Sequence, residues 1–118
     1  ERHVGVFEGL TQAEARIRYP ELWARNITRR WDEAPTDGES LDAVIARVSS
    51  GLITLADEAR GERVLLVAHG VVAKVIRALT SSGFADFFEW QLHNGGRLVA
   101  NIPQAQSPIR FHRPAGQD

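Results

Sequence analysis

At 118 residues the chain can bury one core but not two, and it is read as a single domain or part of one. A composition of 43% hydrophobic and 25% charged residues excludes intrinsic disorder, collagen-like repeats and coiled coil. Fourteen Lys plus Arg against fifteen Asp plus Glu leave a net charge of -1, which gives no electrostatic reason to expect nucleic acid or an anionic membrane as partner. With no cysteine, disulfides, thiolate metal sites and cysteine nucleophiles are ruled out, and a reducing cytoplasm is allowed. Thirteen of the fourteen cations are Arg, Lys74 being the exception; this suits bidentate oxyanion binding and equally suits a GC-rich genome. No apolar run approaches the ~20 residues of a membrane helix, and the first residues lack a signal peptide's hydrophobic core. The chain opens without methionine, inside a glycine-containing segment, so a natural start is not expected there.

In chain order, Thr11-Gln12-Ala13-Glu14 fits a capping box and predicts a short helix to about Tyr19. Pro20 suits the first turn of a second helix, which Leu22, Trp23 and Ile27 continue until it fades near Arg30. Pro35, Asp37 and Gly38 predict a surface loop. Ser40 is positioned to cap a third helix, whose stripe of Leu41, Val44, Ile45, Val48, Leu52 and Leu55 recurs at three- and four-residue steps until Gly61. Residues 63–68, a continuous branched apolar run, read as a strand buried on both faces of a parallel sheet. A helix over 71–79 leaves from His69-Gly70 and is ended by Ser81-Ser82-Gly83. Beyond an aromatic segment, the Asn94-Gly95-Gly96 turn leads to predicted strands at 97–102 and 108–112, with a loose tail from Pro114. Helix, strand and helix in that order predict an α/β fold with a mostly parallel sheet.

The strongest chemical signal is His69-Gly70 between a predicted strand and a helix. Ligands of open parallel sheets bind beyond the carboxyl ends of strands. There Gly70 lets the backbone turn and approach a substrate, and the helix N-terminus offers free amides to a phosphate. The alternative is a histidine packed under a loop. Arg29-Arg30, at the end of a helix, could clamp an oxyanion bidentately or serve as a solvated helix end. Glu1, Glu8 and Glu39 are candidate acids, and no spacing chooses among them. His3 and His93 form no metal-ligand pair with His69, and no metal is expected. The sequence holds no Gly-x-Ser-x-Gly elbow, Walker loop or Gly-x-Gly-x-x-Gly, so serine hydrolase, P-loop and dinucleotide functions have no motif behind them.

Four segments in this order, Glu1-Arg-His-Val-Gly5-Val-Phe-Glu8-Gly9-Leu, Pro35-Thr-Asp-Gly38-Glu39-Ser40, Val67-Ala-His69-Gly70 and Asn94-Gly-Gly, resemble the second part of the histidine phosphatase superfamily, also called phosphoglycerate mutase-like. The resemblance covers nearly the whole chain. It implies a three-layer α/β fold, a mostly parallel sheet flanked by helices, with the N-terminal strand and helix missing, so that residues 1–118 form a partial domain. It implies phosphoryl transfer through a phosphohistidine, without cofactor or metal, because fixed cations and amides can hold the transition-state charge. By position His69 matches the family's second histidine and Glu1 its acid. Arg29 and Arg30 resemble the substrate-binding pair, with Gly70 and Asn94 further substrate contacts. The family's nucleophile lies in an Arg-His-Gly motif for which Arg2-His3-Val4 is no match. It is therefore expected in a missing segment, and these 118 residues alone are expected to be inactive and prone to form homo-oligomers. The mutases carry a Tyr and a Lys where this chain has Val4 and Gln12, whereas Gly38-Glu39-Ser40 is more typical of the phosphatases. The expected function is a cytoplasmic phosphatase acting on a small phosphomonoester. A mutase, or a non-catalytic anion-binding module, is the alternative.

Overall fold

The computed structural model describes residues 1–102, and it divides into two compact units. One holds Arg2–Val44; the other holds Glu1 together with the chain from Ile45.

In the first unit, a 3-10 turn at Gly5–Phe7 precedes α1 (Gln12–Arg18) and α2 (Pro20–Ala24). Thr11 caps α1 as its sequence predicts: the Thr11 hydroxyl accepts the Glu14 N–H at 3.1 Å, and the Glu14 carboxylate accepts the Thr11 N–H at 3.1 Å. The Thr11 N–H bond to the carboxylate, and after it the Thr11 side chain, hold the Glu14 carboxyl below its usual pKa. Pro20 opens α2, where a missing N–H costs nothing. The helix stops at Ala24, earlier than the predicted fade near Arg30, because Asn26 adopts a left-handed conformation (φ 55°) and a separate 3-10 turn, Ile27–Arg29, follows. Phe7, Ala15 and Ile27 form the unit's buried cluster, with Val4, Val6, Leu10, Tyr19, Leu22 and Trp23 packed against it.

Residues 3–6 run beside 36–39. Val6 N–H donates to the Thr36 carbonyl at 2.9 Å, and Glu39 N–H donates to the His3 carbonyl at 2.8 Å. A Cβ on Gly5, whose φ is +56°, would lie 1.9 Å from the Thr36 oxygen, so only glycine admits this approach. Ser40 Oγ accepts the Ala43 N–H at 3.1 Å and opens α3 (Leu41–Glu58). The α3 stripe is buried at Leu41, Val44, Ile45, Val48 and Leu52, as its spacing predicts.

The second unit contains the rest of α3 and α4 (Gly70–Arg77), followed by a wide turn at Ala78–Ser82. In that turn the Thr80 and Ser81 hydroxyls donate to the Ile76 and Arg77 carbonyls, at 2.7 and 3.0 Å, competing with the helix's own bonds. Ala73, Val75, Ile76, Ala78, Phe84 and Phe87 are buried. Arg77 binds Asp86 bidentately at 3.0 Å and lies 4.5 Å from the centre of the Trp90 ring.

The Arg77 bond lowers the Asp86 pKa below its ordinary value. A depressed carboxyl pKa adds stability above the unfolded pKa, about 3.9, and that contribution disappears as pH falls through the folded value. Asp86→Asn is therefore expected to lower the thermal midpoint at neutral pH, with the gap from the parent closing below about pH 4. Melting curves across that range check it; a gap independent of pH would dissociate the pair from stability.

The predicted sheet is corrected. Among the described residues there is no strand, so the expected three-layer α/β architecture is not the observed one. Residues 63–68 have no backbone hydrogen bond to another described segment, and Leu65 and Val67 are 89% and 85% exposed. The physical reason is that a strand is completed by neighbours: an apolar run carries β propensity, but its N–H and C=O groups form a ladder only when another extended segment lies alongside. Residues 97–102 are likewise not a strand, and Val99 is 90% exposed. The predicted strand at 108–112 and the tail from Pro114 lie outside the described residues. No described helix is long and apolar enough to cross a membrane.

Candidate functional site

The second unit brings two of the candidate residues to one helix end. His69 is the N-cap of α4, in extended conformation (φ -120°, ψ 178°), and its carbonyl accepts the Ala73 N–H at 3.0 Å. Its imidazole makes no cap bond and is solvent-exposed. The Glu1 carboxylate accepts the Val71 N–H at 3.0 and 3.1 Å through its two oxygens, and the Val72 N–H at 3.2 Å. Arg47 donates to the Glu1 backbone carbonyl at 2.6 Å. An anion thus sits on the free amides at the positive end of the helix, where the dipole favours negative charge. The same donors suit a phosphoryl oxygen.

Gly70 is the first residue of α4, where the chain passes from the extended backbone of His69 into the helix, and its φ lies outside the left-handed range. A Cβ there would meet nothing within 4 Å, which leaves that side of the helix end open. Asn94 occupies an exposed turn closed by the Gly96 N–H on the His93 carbonyl at 2.7 Å, and no described hydrogen bond joins it to Glu1 or His69.

Arg29 and Arg30 belong to the first unit. Arg29 ends the 3-10 turn and is exposed. Arg30 Nε donates to the Arg25 carbonyl at 3.1 Å and lies 3.7 Å from a Glu33 oxygen, while Glu33 also pairs with Arg25. The other two candidate acids brace the segment near the chain start: Glu8 accepts the Val4 N–H at 2.8 Å, and Glu39 accepts the His3 N–H at 2.9 Å. His3 Nδ1 accepts the Gly5 N–H at 3.1 Å. Among the described residues no three His, Asp or Glu side chains gather as a metal site.

Sequence reasoning missed Arg2. Its side chain is buried, and its guanidinium donates to the carbonyls of Glu39 (2.9 Å) and Thr28 (2.8 Å). Burial lowers its pKa, and the Glu39 charge opposes that shift. Nothing in the local sequence signals a buried cation, because the acceptors lie 26 and 37 residues away.

A histidine at a helix N-terminus, with a carboxylate on that helix's amides, is an arrangement suited to oxyanion chemistry. The sequence model of the histidine phosphatase superfamily (branch 1) matches residues 1–111, and the chain belongs to that superfamily. It is 37% identical over 75 residues to "Phosphoglycerate mutase-like protein 4" of Arabidopsis thaliana, covering 63% of this chain and 33% of the relative. It is 38% identical over 77 residues to "Metal-independent phosphoserine phosphatase" of the same plant, covering 64% and 32%. It is also 38% identical over 72 residues to "2,3-bisphosphoglycerate-dependent phosphoglycerate mutase" of Azorhizobium caulinodans, covering 59% and 35%. The chain thus spans about a third of the length of these curated relatives. No solved structure matches it.

Proposed function

We propose that the protein is a phosphatase that hydrolyses a small phosphomonoester through a phosphohistidine. The observation that carries this reading is the Glu1 carboxylate on the Val71 and Val72 amides, beside the N-cap His69. In this reading the attacking histidine, for which these residues offer no Arg-His-Gly motif, is supplied by another part of the protein. His69 neutralises the equatorial oxygens of the transferred group, where charge builds up. Glu1 protonates the leaving oxygen, and Arg29 and Arg30 hold the substrate's anionic groups with their forked donors. Asn94 is a further substrate contact. A relative named as a phosphoserine phosphatase supports the hydrolytic form; relatives named as mutases keep phosphoglycerate mutase-type transfer as the second reading.

Glu1→Gln in the encoded protein tests the acid's role. A poor alkoxide leaving group needs the proton in the transition state and a good phenolate does not. The variant is therefore expected to slow phosphoserine hydrolysis by about 100-fold or more, and p-nitrophenyl phosphate hydrolysis only slightly. Equal slowing of both would remove Glu1 from this role and make Glu8 or Glu39 the next candidate. Absence of turnover in the unaltered protein, with phosphate still bound, would favour an anion-binding module.

A further inference from the structure

We propose that Arg2 is a positioning residue for the Arg29–Arg30 pair, clamping the carbonyl just before the pair to the carbonyl that precedes α3. The proposal rests on the reading of that pair as substrate-binding.

The geometry lies within the first unit. Thr28 is the middle residue of the Ile27–Arg29 turn, and a turn that ends at Arg29 leaves the late carbonyls without partners from its own backbone. Arg2 NH1 donates to the Thr28 carbonyl at 2.8 Å, and Nε donates to the Glu39 carbonyl at 2.9 Å, one residue before the α3 cap Ser40. On the other side of the pair, the Trp31 carbonyl accepts the Asp42 N–H at 2.9 Å, and the Trp31 side chain is 1% exposed. Arg29 and Arg30 are thus the two residues between two fixed carbonyls, and Arg2 supplies one of the fixings.

The chemistry of Arg2 fits a clamp better than a general stabilising charge. The side chain is 7% exposed, its described hydrogen-bond acceptors are neutral carbonyls, and its NH2 nitrogen is buried with no partner among the described residues. Burying a cation without a bonded carboxylate, with one donor unsatisfied, is costly. What an arginine provides in exchange is reach in two directions at once, because its planar fork holds fixed donors that a lysine ammonium on a flexible stem does not have.

The test compares Arg2→Lys, Arg29→Gln/Arg30→Gln and the combined variant in the encoded protein, with phosphoserine as substrate. Arg2→Lys keeps the charge and loses the bridge. It is expected to raise KM by about 10-fold, as slight misplacement of a binding group does, while kcat stays within about twofold. The pair variant is expected to raise KM as well, and Arg2→Lys is expected to add nothing to it, since the clamp acts only through the pair. An unchanged KM in Arg2→Lys, with a raised KM in the pair variant, would overturn the positioning role and leave the reading of the pair intact. An unchanged KM in the pair variant would overturn both. Effects that multiply in the combined variant would make Arg2 a structural residue only. If Arg2→Lys folds poorly, Arg2→Gln serves instead: it removes the buried charge, keeps donors for one carbonyl, and is expected to show the same rise in KM.

Discussion

In the encoded protein, His69→Ala is expected to lower kcat by roughly 100- to 1,000-fold on phosphoserine and on p-nitrophenyl phosphate alike, the effect of removing one preorganised donor from a developing oxyanion. The equal loss follows from where His69 would act. It would face the transferred phosphoryl group, which is common to both substrates, whereas Glu1 would act on the leaving oxygen, which differs between them. The structure gives no reason for this substitution to disturb folding: the imidazole is exposed and makes no cap bond, and the helix start is held by the His69 carbonyl and by the Glu1 carboxylate. Circular dichroism is therefore expected to be unchanged while steady-state kinetics show the loss. A drop of less than about tenfold on both substrates would take His69 out of the charge-stabilising role.

Gly5→Ala is expected to be the most damaging single substitution for stability, with a loss of about 4 kcal/mol or more and failure of the first unit to hold its fold. Two penalties combine. The left-handed backbone at φ +56° costs a Cβ-bearing residue about 1 to 2 kcal/mol. The new Cβ would also lie 1.9 Å from the Thr36 oxygen, 2.6 Å from the Gly38 nitrogen and 2.8 Å from the Asp37 carbon. These are backbone atoms, so relief requires residues 3–6 and 36–39 to separate, with loss of the bonds from Val6 to Thr36 and from Glu39 to His3. Gly9→Ala is the control: φ is +75°, but nothing lies within 4 Å of the added carbon, so only the conformational cost of about 1 to 2 kcal/mol applies. Denaturant titration of both variants separates the terms, and similar losses for the two would show that the close approach at Gly5 is not strained by a methyl group.

The elements that were legible in the sequence are those whose stabilising groups are near neighbours. Thr11 and Glu14 cap α1 across three residues, Ser40 caps α3 in the same way, Pro20 opens α2, and the α3 stripe repeats at helical steps from Leu41 to Leu52. The failure at 63–68 has the opposite cause. Periodicity cannot distinguish a strand buried in a sheet from an apolar run without a ladder, because the difference lies in another segment. Family membership was legible as well, from four short motifs in the right order, and it extends over residues 1–111.

The sequence by itself determined the starts of α1, α2 and α3, the buried stripe of α3 and the superfamily, since each is written in residue types at fixed short spacing. Only the tertiary structure decided that the Glu1 carboxylate rests on amides 70 and 71 residues away, and that Arg2 is buried between the carbonyls of Thr28 and Glu39. It also decided that Glu8 and Glu39 brace the chain near its start. The physical reason is the same in each case: a cap is selected by the backbone donors next to it, whereas the partner of a long-range carboxylate or guanidinium is whichever group the packing of remote segments brings within hydrogen-bond distance.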